Sequence, residues 1–279
     1  MAEIQVYNLK SFNQVITSPA TQNYLSELLH ERKGQFVSNL TALVANNAKL
    51  QKCEPYTLMF AALKATALNL PIEPSLGMAH VIPFKNNARN ITEAQFQIGY
   101  KGFQQLALRT GQYKRINTTD VRSGELKKRN RLTGEIEFEF IEDENERLKA
   151  PIIGYVNYFK LLNGFESIFY MSKEEMEEHA HRYSQTYRSS NQAIKEQSKW
   201  TTDFDAMAVK TVIKLNLSKN GVLTTELQDA ILADQSVMRE ENKYDYIDNE
   251  GSDSADDPQK VKDVAEKFAD FGSEVSQSN

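Results

Sequence analysis

The pattern of apolar and polar positions predicts helices in the N-terminal part of the chain. After a polar, irregular stretch over residues 1–20, apolar side chains recur at helical spacing over 24–29 and again over 36–44. Pro55 suits the first turn of a third helix, and Pro71 ends that helix. We therefore expect a mobile arm over residues 1–20, followed by three amphipathic helices.

The middle of the chain alternates between apolar and polar residues, which predicts half-buried antiparallel strands. The dipeptide Asn163-Gly164 is typical of a two-residue hairpin turn. The charged segment 142–149 separates two predicted hairpins, and we expect it to be a mobile loop. The expected strands are 79–83, 95–98, 115–121, 125–130, 135–140, 151–162 and 165–171.

Helical spacing returns in the C-terminal third. Ser172 followed by Glu175 is a capping box, which opens a helix that reaches about residue 186. A polar loop is expected over 187–198. Two further helices are expected over about 203–218 and 224–238.

Charges are segregated along the chain. The formal net charge is −5, but residues 232–279 hold 5 Lys/Arg against 13 Asp/Glu, a net of −8. Residues 95–132 hold 9 basic and 2 acidic residues, a net of +7. A basic band beside an acidic tail favours a polyanionic partner. We expect an α+β fold with one core domain over 21–231 and an acidic, largely disordered tail over 232–279.

The stretch 94–115 combines a predicted strand and helix with cations and aromatic rings. Gly99 and Gly102 let the backbone turn tightly and come close to a ligand, and Gly111 suits the end of the helix. Interleaved cations and aromatics suit phosphates that carry stackable bases. An ordinary strand-to-helix turn with solvated charges explains them as well. The candidate contacts here are Tyr100, Lys101, Phe103, Arg109, Lys114 and Arg115.

Three further groups complete the candidate set. Two lysines four residues apart form a cationic stripe on the last core helix. A second group mixes cations with tyrosines, and a third is selected on charge alone. Taken singly, each group is more often a solvated face, but together they favour a groove for single-stranded nucleic acid. The groups are Lys210 and Lys214; Arg182, Tyr187 and Arg188, with Tyr183 beside them; and Lys127, Lys128 and Arg129.

No catalytic or metal-binding pattern stands out. The phosphate-binding signature G-x-x-x-x-G-K-[ST] is absent, which argues against an ATP-driven motor. Cys53 is the only cysteine, and His179 and His181 point in different directions on a predicted helix, so a zinc spacing is missing. The alternating glutamates of the 135–140 strand fit a solvated edge better than a metal nuclease. We expect no catalytic residue, no metal and no cofactor.

Cysteine usage and hydropathy indicate the cellular compartment of the protein. One cysteine cannot form an internal disulfide, which fits a reducing compartment. No N-terminal run resembles a signal peptide, and no run approaches the roughly 18 apolar residues that a membrane helix needs. We therefore expect a cytosolic protein without a membrane partner.

Four segments carry distinctive motifs in a fixed order. Residues 68–84 form a proline-rich helix-to-strand signature, and residues 97–102 are Gln-Ile-Gly-Tyr-Lys-Gly. Residues 179–187 contain His-Ala, Tyr-Ser and Thr-Tyr pairs. Trp200 then precedes the block 203–212, Asp-Phe-Asp-Ala-Met-Ala-x-Lys-Thr-Val. Over about residues 20–228 this series resembles the RecT family of phage and prophage single-strand annealing recombinases.

The resemblance implies ATP-independent binding of single-stranded DNA and annealing of complementary strands by an oligomeric ring or helical filament. It implies a small curved antiparallel sheet with hairpins packed on helices, and a basic groove for DNA. The implied partners are single-stranded DNA, the annealed duplex, further copies of the chain, a phage exonuclease and a host single-strand-binding protein, in the cytoplasm of a bacterial host. Binding roles carry over to Tyr100, Lys101, Arg109, Lys210 and Lys214, which lie in matching motifs.

Two other functions stay open at this point. A metal-dependent DNA nuclease needs clustered carboxylates in the groove. A passive single-strand protector binds DNA without speeding annealing. The acidic tail restrains DNA binding by competing for the same cations, sets the choice of partner by docking on a host protein, or acts only as a solubility element.

Overall fold

The computed structural model describes residues 7–86, 89–240 and 243–245 of the 279-residue chain. These residues form helices and small antiparallel sheets, so the predicted α+β class is confirmed. The α-helices are α1 (Leu9–Ile16), α2 (Pro19–Leu29), α3 (Lys33–Ala45), α4 (Pro55–Ala67), α5 (Tyr100–Arg109), α6 (Glu144–Lys149), α7 (Lys173–Tyr183), α8 (Gln192–Glu196), α9 (Lys199–Thr202), α10 (Phe204–Asn220) and α11 (Thr225–Ala233).

The strands form three antiparallel groups. They are β1 (Ala79–Asn86), β2 (Ile91–Ile98), β3 (Tyr113–Arg122), β4 (Leu126–Arg129), β5 (Ile136–Phe138), β6 (Ile152–Leu161), β7 (Glu166–Ser172), β8 (Ser236–Glu240) and β9 (Lys243–Asp245). The first sheet has the order β1-β2-β8-β9, the second sheet has the order β3-β6-β7, and β4 and β5 form a separate hairpin.

Helix α4 packs against one face of the first sheet. Pro55 occupies its first turn, and the Glu54 carboxylate accepts the N–H of Thr57 at 2.9 Å, which caps the helix. The buried face of α4 is rich in alanine, so β2 approaches closely and the Phe96 side chain lies wholly in the core. This packing leaves the other face of the first sheet free to form a site.

Helix α10 is the central element, because it packs between α5 and the second sheet. The consecutive α10 residues Val212 and Ile213 are both buried, as expected of a helix that is covered on two sides. Asn216 fixes α10 on the second sheet: its Nδ2 donates to Asn157 Oδ1 at 2.7 Å, and its Oδ1 accepts from Ser167 Oγ at 2.7 Å. These buried polar groups are hydrogen-bonded, as burial requires.

Two local signals in the sequence are confirmed. Asn163-Gly164 connects β6 to β7, with Gly164 at a φ of 94° that favours glycine. Ser172 and Glu175 form the expected capping box at the start of α7. Both signals are local, so tertiary packing does not change their outcome.

The glycines of the 94–115 stretch serve a backbone contact. Helix α5 begins at Tyr100, three residues before its predicted start, and Gly99 is its N-cap. A Cβ atom on Gly99 would lie 2.1 Å from the Gly77 carbonyl oxygen, and one on Gly102 would lie 2.2 Å from the Met78 carbonyl oxygen. The two glycines therefore let residues 77 and 78 cross α5, instead of admitting a ligand as the sequence suggested.

Residues 9–16 form α1, where the sequence predicted an irregular mobile arm. Asn8 caps this helix by accepting the Ser11 N–H at 3.0 Å, and Phe12 and Ile16 are buried in the core. Two apolar anchors four residues apart are too short a pattern to predict a helix, and packing supplies the stability. The predicted arm was wrong for these residues, while residues 1–6 lie outside the described chain.

Two predicted loops contain short helices. Asp143 caps α6, and Arg147 pairs with the buried Glu125 carboxylate at 2.7 Å. Asn191 caps α8 by accepting the Ala193 N–H at 3.0 Å. These helices depend on caps and, for α6, on a tertiary ion pair, which hydrophobic periodicity does not report.

Strand β8 carries the core past the predicted boundary at residue 231. The helix predicted over 224–238 ends at Ala233, and Ser236 then pairs with Phe96 of β2. Val237 and Met238 are buried, so residues 232–238 do not belong to a disordered tail. The prediction of disorder from residue 246 onward lies outside the described residues.

Candidate nucleic-acid interface

A cavity of about 300 Å³ lies between the first sheet and α10. Its floor is the face of β1 and β2 opposite α4, and its walls are α10, α9 and the C-terminal end of α7. We call this cavity the groove. The lining residues that matter below are Gln95, Gln97, Tyr183, Lys199, Lys210, Lys214 and Asp234.

Alternation along β2 makes the floor of the groove polar. Phe96 and Ile98 join the core beside α4, while Gln95 and Gln97 line the groove. Gln97 Nε2 donates to Gln95 Oε1 at 2.8 Å, and Gln95 Nε2 donates to the carbonyl of Gln235 at 2.6 Å. The floor therefore offers fixed amide groups without charge.

Asp234 lies between two lysines of α10. Lys210 Nζ is 3.0 Å from Asp234 Oδ1, and Lys214 Nζ is 2.7 Å from Asp234 Oδ2. The Ile98 N–H, at the end of β2, donates to the same carboxylate at 2.9 Å. Burial acts to raise the pKa of Asp234, but the two ammonium groups outweigh burial and hold the pKa below its ordinary value. Asp234 is therefore ionised at neutral pH.

The groove keeps an excess of positive charge, because two lysines face one carboxylate. Lys210 is buried, and burial lowers its pKa although Asp234 opposes the shift. Lys214 keeps 24% of its side chain exposed. Lys199 is exposed, and its side chain makes no hydrogen bond or ion pair with the described part of the chain. Lys199 and Lys214 are therefore the accessible cations of the groove.

An aromatic wall closes one side of the groove. The Tyr183 hydroxyl is buried and has no hydrogen-bond partner among the described residues. The Tyr183 ring lies 4.5 Å from the His179 ring between centroids, and the His179 ring lies 6.3 Å from that of Trp200. An unpartnered buried hydroxyl at a cavity calls for an explanation, and a ligand oxygen is one.

Sequence reasoning selected Lys210 and Lys214 but missed three other residues of the groove. Tyr183 was noticed only as a neighbour of the cations. Lys199 follows a polar segment without a periodic signal, and Asp234 lies in a segment predicted as helix. The adjacent Trp200 was the one available clue to Lys199, since it lies in a family motif.

Two predicted contacts in α5 are buried in the protein or hydrogen-bonded within it. Phe103 is fully buried, so it cannot stack on a base, and its prediction as a DNA contact was wrong. Arg109 Nη1 and Nη2 donate to the carbonyls of Leu68 and Asn69 at 2.8 and 2.7 Å. Arg109 therefore satisfies carbonyls at the C-terminal end of α4, which would otherwise lack partners.

Four other predicted contacts are exposed but do not line the groove. Tyr100 and Lys101 lie in the first turn of α5, and Lys114 and Arg115 lie at the start of β3. No ion pair joins the three cations to the described part of the chain. A role in binding DNA stays a prediction for all four.

The basic arm of the β4–β5 hairpin is paired with carboxylates. Lys127 lies 3.1 Å from Glu139, and Lys128 lies 3.4 Å from Glu137. Arg129 lies 3.3 Å from Glu175 of α7 and over the Tyr170 ring. Exposed pairs of this kind contribute about 0–1 kcal/mol, so DNA contact by these residues stays a prediction.

The third predicted group lies around the C-terminal end of α7. Arg182 borders a second cavity of about 310 Å³ on the other side of Tyr183. Arg188 Nη1 donates to the Arg182 carbonyl at 3.3 Å, and Lys195 lies over the Tyr187 ring. The structure thus gathers Arg182, Tyr187 and Arg188 near the groove without placing them in its lining.

Comparison with known proteins identifies the family. The model of the RecT family matches residues 34–248, which contain every residue of the groove. The chain belongs to the RecT family. The resemblance inferred from its motifs is thereby confirmed, and with it a role in DNA recombination and strand annealing.

Two relatives of this RecT-family chain span most of its length. The Bacillus subtilis (strain 168) protein YqaK, described as uncharacterized, is 38% identical over 244 residues, which cover 85% of this chain and 79% of the relative. Protein RecT of Escherichia coli (strain K12) is 27% identical over 255 residues, which cover 84% of this chain and 87% of the relative.

Membership of the RecT family makes DNA the polyanion that the charge pattern called for. In the part of the chain that the structure describes, no group of three or more His, Cys, Asp or Glu side chains is arranged to hold a metal ion. Among the same residues, no helix is long and apolar enough to cross a membrane.

Proposed function

We propose that this protein binds single-stranded DNA through the groove and anneals complementary strands without hydrolysing a nucleotide, as an oligomeric ring or helical filament. The observation that carries the proposal is the pair of accessible cations, Lys199 and Lys214, above a floor of uncharged amides. Membership of the RecT family supports annealing as the activity.

Annealing requires that two polyanions approach each other while their bases stay free to pair. Lys199 and Lys214 neutralise phosphates, which releases counterions and lowers the repulsion between strands. Phosphate contacts carry no base information, so binding tolerates any sequence. Gln97 is held by its hydrogen bond to the buried Gln95, which makes Gln97 a fixed donor and acceptor for a backbone or sugar.

Lys214 is already paired with Asp234, so a phosphate of DNA must compete with this carboxylate for the Lys214 ammonium. This ammonium lies 2.7 Å from Asp234, which Lys210 also contacts. A phosphate that approaches Lys214 therefore meets a partly neutralised cation, while Lys199 is free of this competition. We infer that Lys199 makes the stronger contribution to the affinity for DNA.

Assembly follows from the small size of each groove. One copy grips only a few nucleotides, so stable binding needs many copies side by side. Family membership also supports a bacterial cytoplasm, a phage exonuclease and a host single-strand-binding protein as the setting. Annealing consumes single strands, which an exonuclease produces from duplex ends.

Salt dependence tests the groove. If each copy neutralises about 4 phosphates, a plot of log K against log salt has a slope of roughly −3. Lys199→Ala should reduce the slope by about 1, and Lys214→Ala should reduce it by less, because Asp234 already neutralises part of the Lys214 charge. Lys85→Ala, at an exposed lysine of β1 outside the groove, is the matched control and should keep the full slope.

Annealing itself is measured with complementary oligonucleotides, with and without protein and without ATP. If the annealing rate does not rise with protein concentration, the protein is a passive strand protector and does not anneal DNA. A flat salt response, or a full salt slope in both groove variants, would contradict the proposal that the groove binds DNA.

A further inference from the structure

The two ends of the second sheet carry opposite charge, and both expose large apolar side chains. Strand β3 spans the sheet: Tyr113 pairs with Leu161 at one end, and Arg122 pairs with Ile152 at the other. Ten residues of strand cover about 33 Å, so the two ends face in opposite directions. We call them the basic end and the acidic end.

The basic end is formed by the start of β3 and the turn between β6 and β7. Lys114 and Arg115 are exposed there and make no ion pair with the residues that the structure describes. The Leu162 N–H donates to the Gln112 carbonyl at 2.9 Å, which holds the turn beside them. Leu162 is 64% exposed and Phe165 is 49% exposed.

The acidic end is formed by α6 and the chain before it. Residues 135–149, which include α6, hold seven Asp/Glu and two Lys/Arg, a net of −5. Arg122 Nη1 fixes α6 at the end of β3, because it donates to the carbonyls of Leu148 and Ala150 at 3.1 and 2.8 Å. Leu148 is 58% exposed and Phe140 is 42% exposed.

Two carboxylates of the acidic end are available to a partner. Within the described residues, Glu142 and Glu144 are exposed and make no side-chain hydrogen bond or ion pair. Other carboxylates of this segment are already paired, for example Glu146 with Lys149 at 2.7 Å. The acidic end thus keeps unpaired negative charge around its exposed apolar groups.

We propose that the basic end of one copy docks on the acidic end of the next copy. The inference rests on the proposed assembly and names the surfaces that form it. Lys114 and Arg115 complement Glu142 and Glu144, and Leu162 and Phe165 cover Leu148 and Phe140. DNA does not fit both surfaces, because a polyanion is repelled by the acidic end.

The arrangement fixes the type of symmetry. The contact joins two different surfaces, so it is heterologous, and repetition closes into a ring or continues as a helix. A two-fold dimer is not expected from this contact, because each end would meet its own charge. Complementary charges also speed the encounter of copies and suppress the wrong orientation.

Charge reversal at each end tests the contact. Lys114→Glu with Arg115→Glu makes both ends acidic, and Glu142→Lys with Glu144→Lys makes both ends basic. Each double variant alone should stay monomeric by sedimentation velocity where the wild-type protein assembles, with complementary oligonucleotides present in every sample. An equimolar mixture of the two variants should assemble again. Lys49→Glu with Lys52→Glu, two exposed lysines away from both ends, is the matched control and should assemble like the wild type.

Cross-linking provides a second readout that does not depend on charge. Leu148→Cys and Leu162→Cys each place one thiol at one end. Native Cys53 does not interfere, because it is 1% exposed and burial raises the pKa of its thiol to about 12. A short bis-maleimide should join the two variants only when they are mixed.

The outcomes separate this contact from assembly in general. Wild-type protein that never assembles with DNA overturns the proposed assembly itself. Assembly that survives both charge reversals, or self-linking of either cysteine variant alone, overturns the head-to-tail contact and leaves assembly intact. Loss of DNA affinity without loss of assembly in the Lys114→Glu, Arg115→Glu variant assigns the basic end to DNA and overturns the contact.

Discussion

The ammonium of Lys214 lies 2.7 Å from the buried carboxylate of Asp234, which follows α11 and is also hydrogen-bonded to the end of β2. A single side chain thus ties α10 to the first sheet and controls the charge of the groove between them. Under the proposed function, this carboxylate competes with phosphates of DNA for the ammonium group of Lys214.

Asp234→Asn should make DNA binding tighter and the fold less stable. The amide oxygen still accepts the Ile98 N–H, but Lys210 and Lys214 lose their counter-charge. Breaking a buried pair in this way costs about 3–5 kcal/mol of unfolding free energy. Urea unfolding measures the loss, and fluorescence anisotropy at low salt measures the affinity. Unchanged stability and unchanged affinity would show that the carboxylate is not a competitor of DNA.

Arg109→Ala should destabilise the protein without changing the salt slope. The change removes the two hydrogen bonds to the carbonyls of Leu68 and Asn69, and an ordinary hydrogen bond contributes about 0.5–1.5 kcal/mol. Lys101→Ala is the comparison, because Lys101 lies in the first turn of the same helix, is exposed and has no ion pair with the described residues. Its loss should leave the unfolding free energy nearly unchanged. A reduced salt slope in Arg109→Ala with normal stability would return Arg109 to the DNA contacts.

Phe103→Ala and Tyr100→Ala should separate packing from binding within one helix. Phe103 is fully buried, so its truncation costs about 3–5 kcal/mol. Tyr100 is exposed, and its truncation should leave the unfolding midpoint nearly unchanged while it weakens DNA binding if its ring stacks on a base. Equal stability of the two variants would contradict the packing of α5.

Acid should destabilise the fold through two carboxylates. For Asp120, burial acts to raise the pKa, but the guanidinium groups of Arg147 and Arg122 outweigh burial and lower it, as the lysines do for Asp234. A folded pKa below the unfolded value gives stability that is present above about pH 4 and is lost as the pH falls through the folded pKa. Urea unfolding across this range should show the loss, and Asp120→Asn should make the curve flatter. Glu142→Gln, at an exposed carboxylate, serves as the control.

Deletion of residues 247–279 should raise the affinity for single strands at low salt. This segment holds 3 Lys/Arg against 9 Asp/Glu, a net of −6, so under the proposed function it competes with DNA for the cations of the groove at high local concentration. The same deletion should leave the unfolding midpoint unchanged, because the composition of this Asp- and Ser-rich segment, with few large apolar residues, predicts that it adds little to the core. A truncated protein that binds no more tightly and anneals no faster reduces the segment to a solubility or partner element.

Local and periodic features were accessible from the sequence, whereas contacts between distant segments were not. The Ser172 capping box and the Asn163-Gly164 turn involve neighbours in sequence, and the sequence predicted both. The end of α11 at Ala233 was not predictable from helical spacing, because pairing of Ser236 with Phe96 draws the chain into β8. Tertiary strand pairing outweighed local propensity there.

The candidate site divides along the same line. Residue type predicted Lys210 and Lys214 as functional cations, but nothing near them in sequence indicates that Asp234 neutralises part of their charge. Arg109 looked like a free cation because its two carbonyl partners lie about forty residues upstream. Sequence reports which groups carry charge, and the fold decides which of those charges a ligand can reach.

The pairing of Phe96 with Ser236 also sets the order in which the molecule becomes competent during synthesis. The neighbouring pair Gln95 and Gln235 is separated by 140 residues, which a ribosome adds in roughly 7–28 s at about 5–20 residues per second. Until Asp234 and β8 emerge, β2 has an unpaired edge and the lysines of α10 have no counter-ion. A nascent chain therefore completes the groove, the proposed DNA-binding site, only after almost the whole core has left the ribosome.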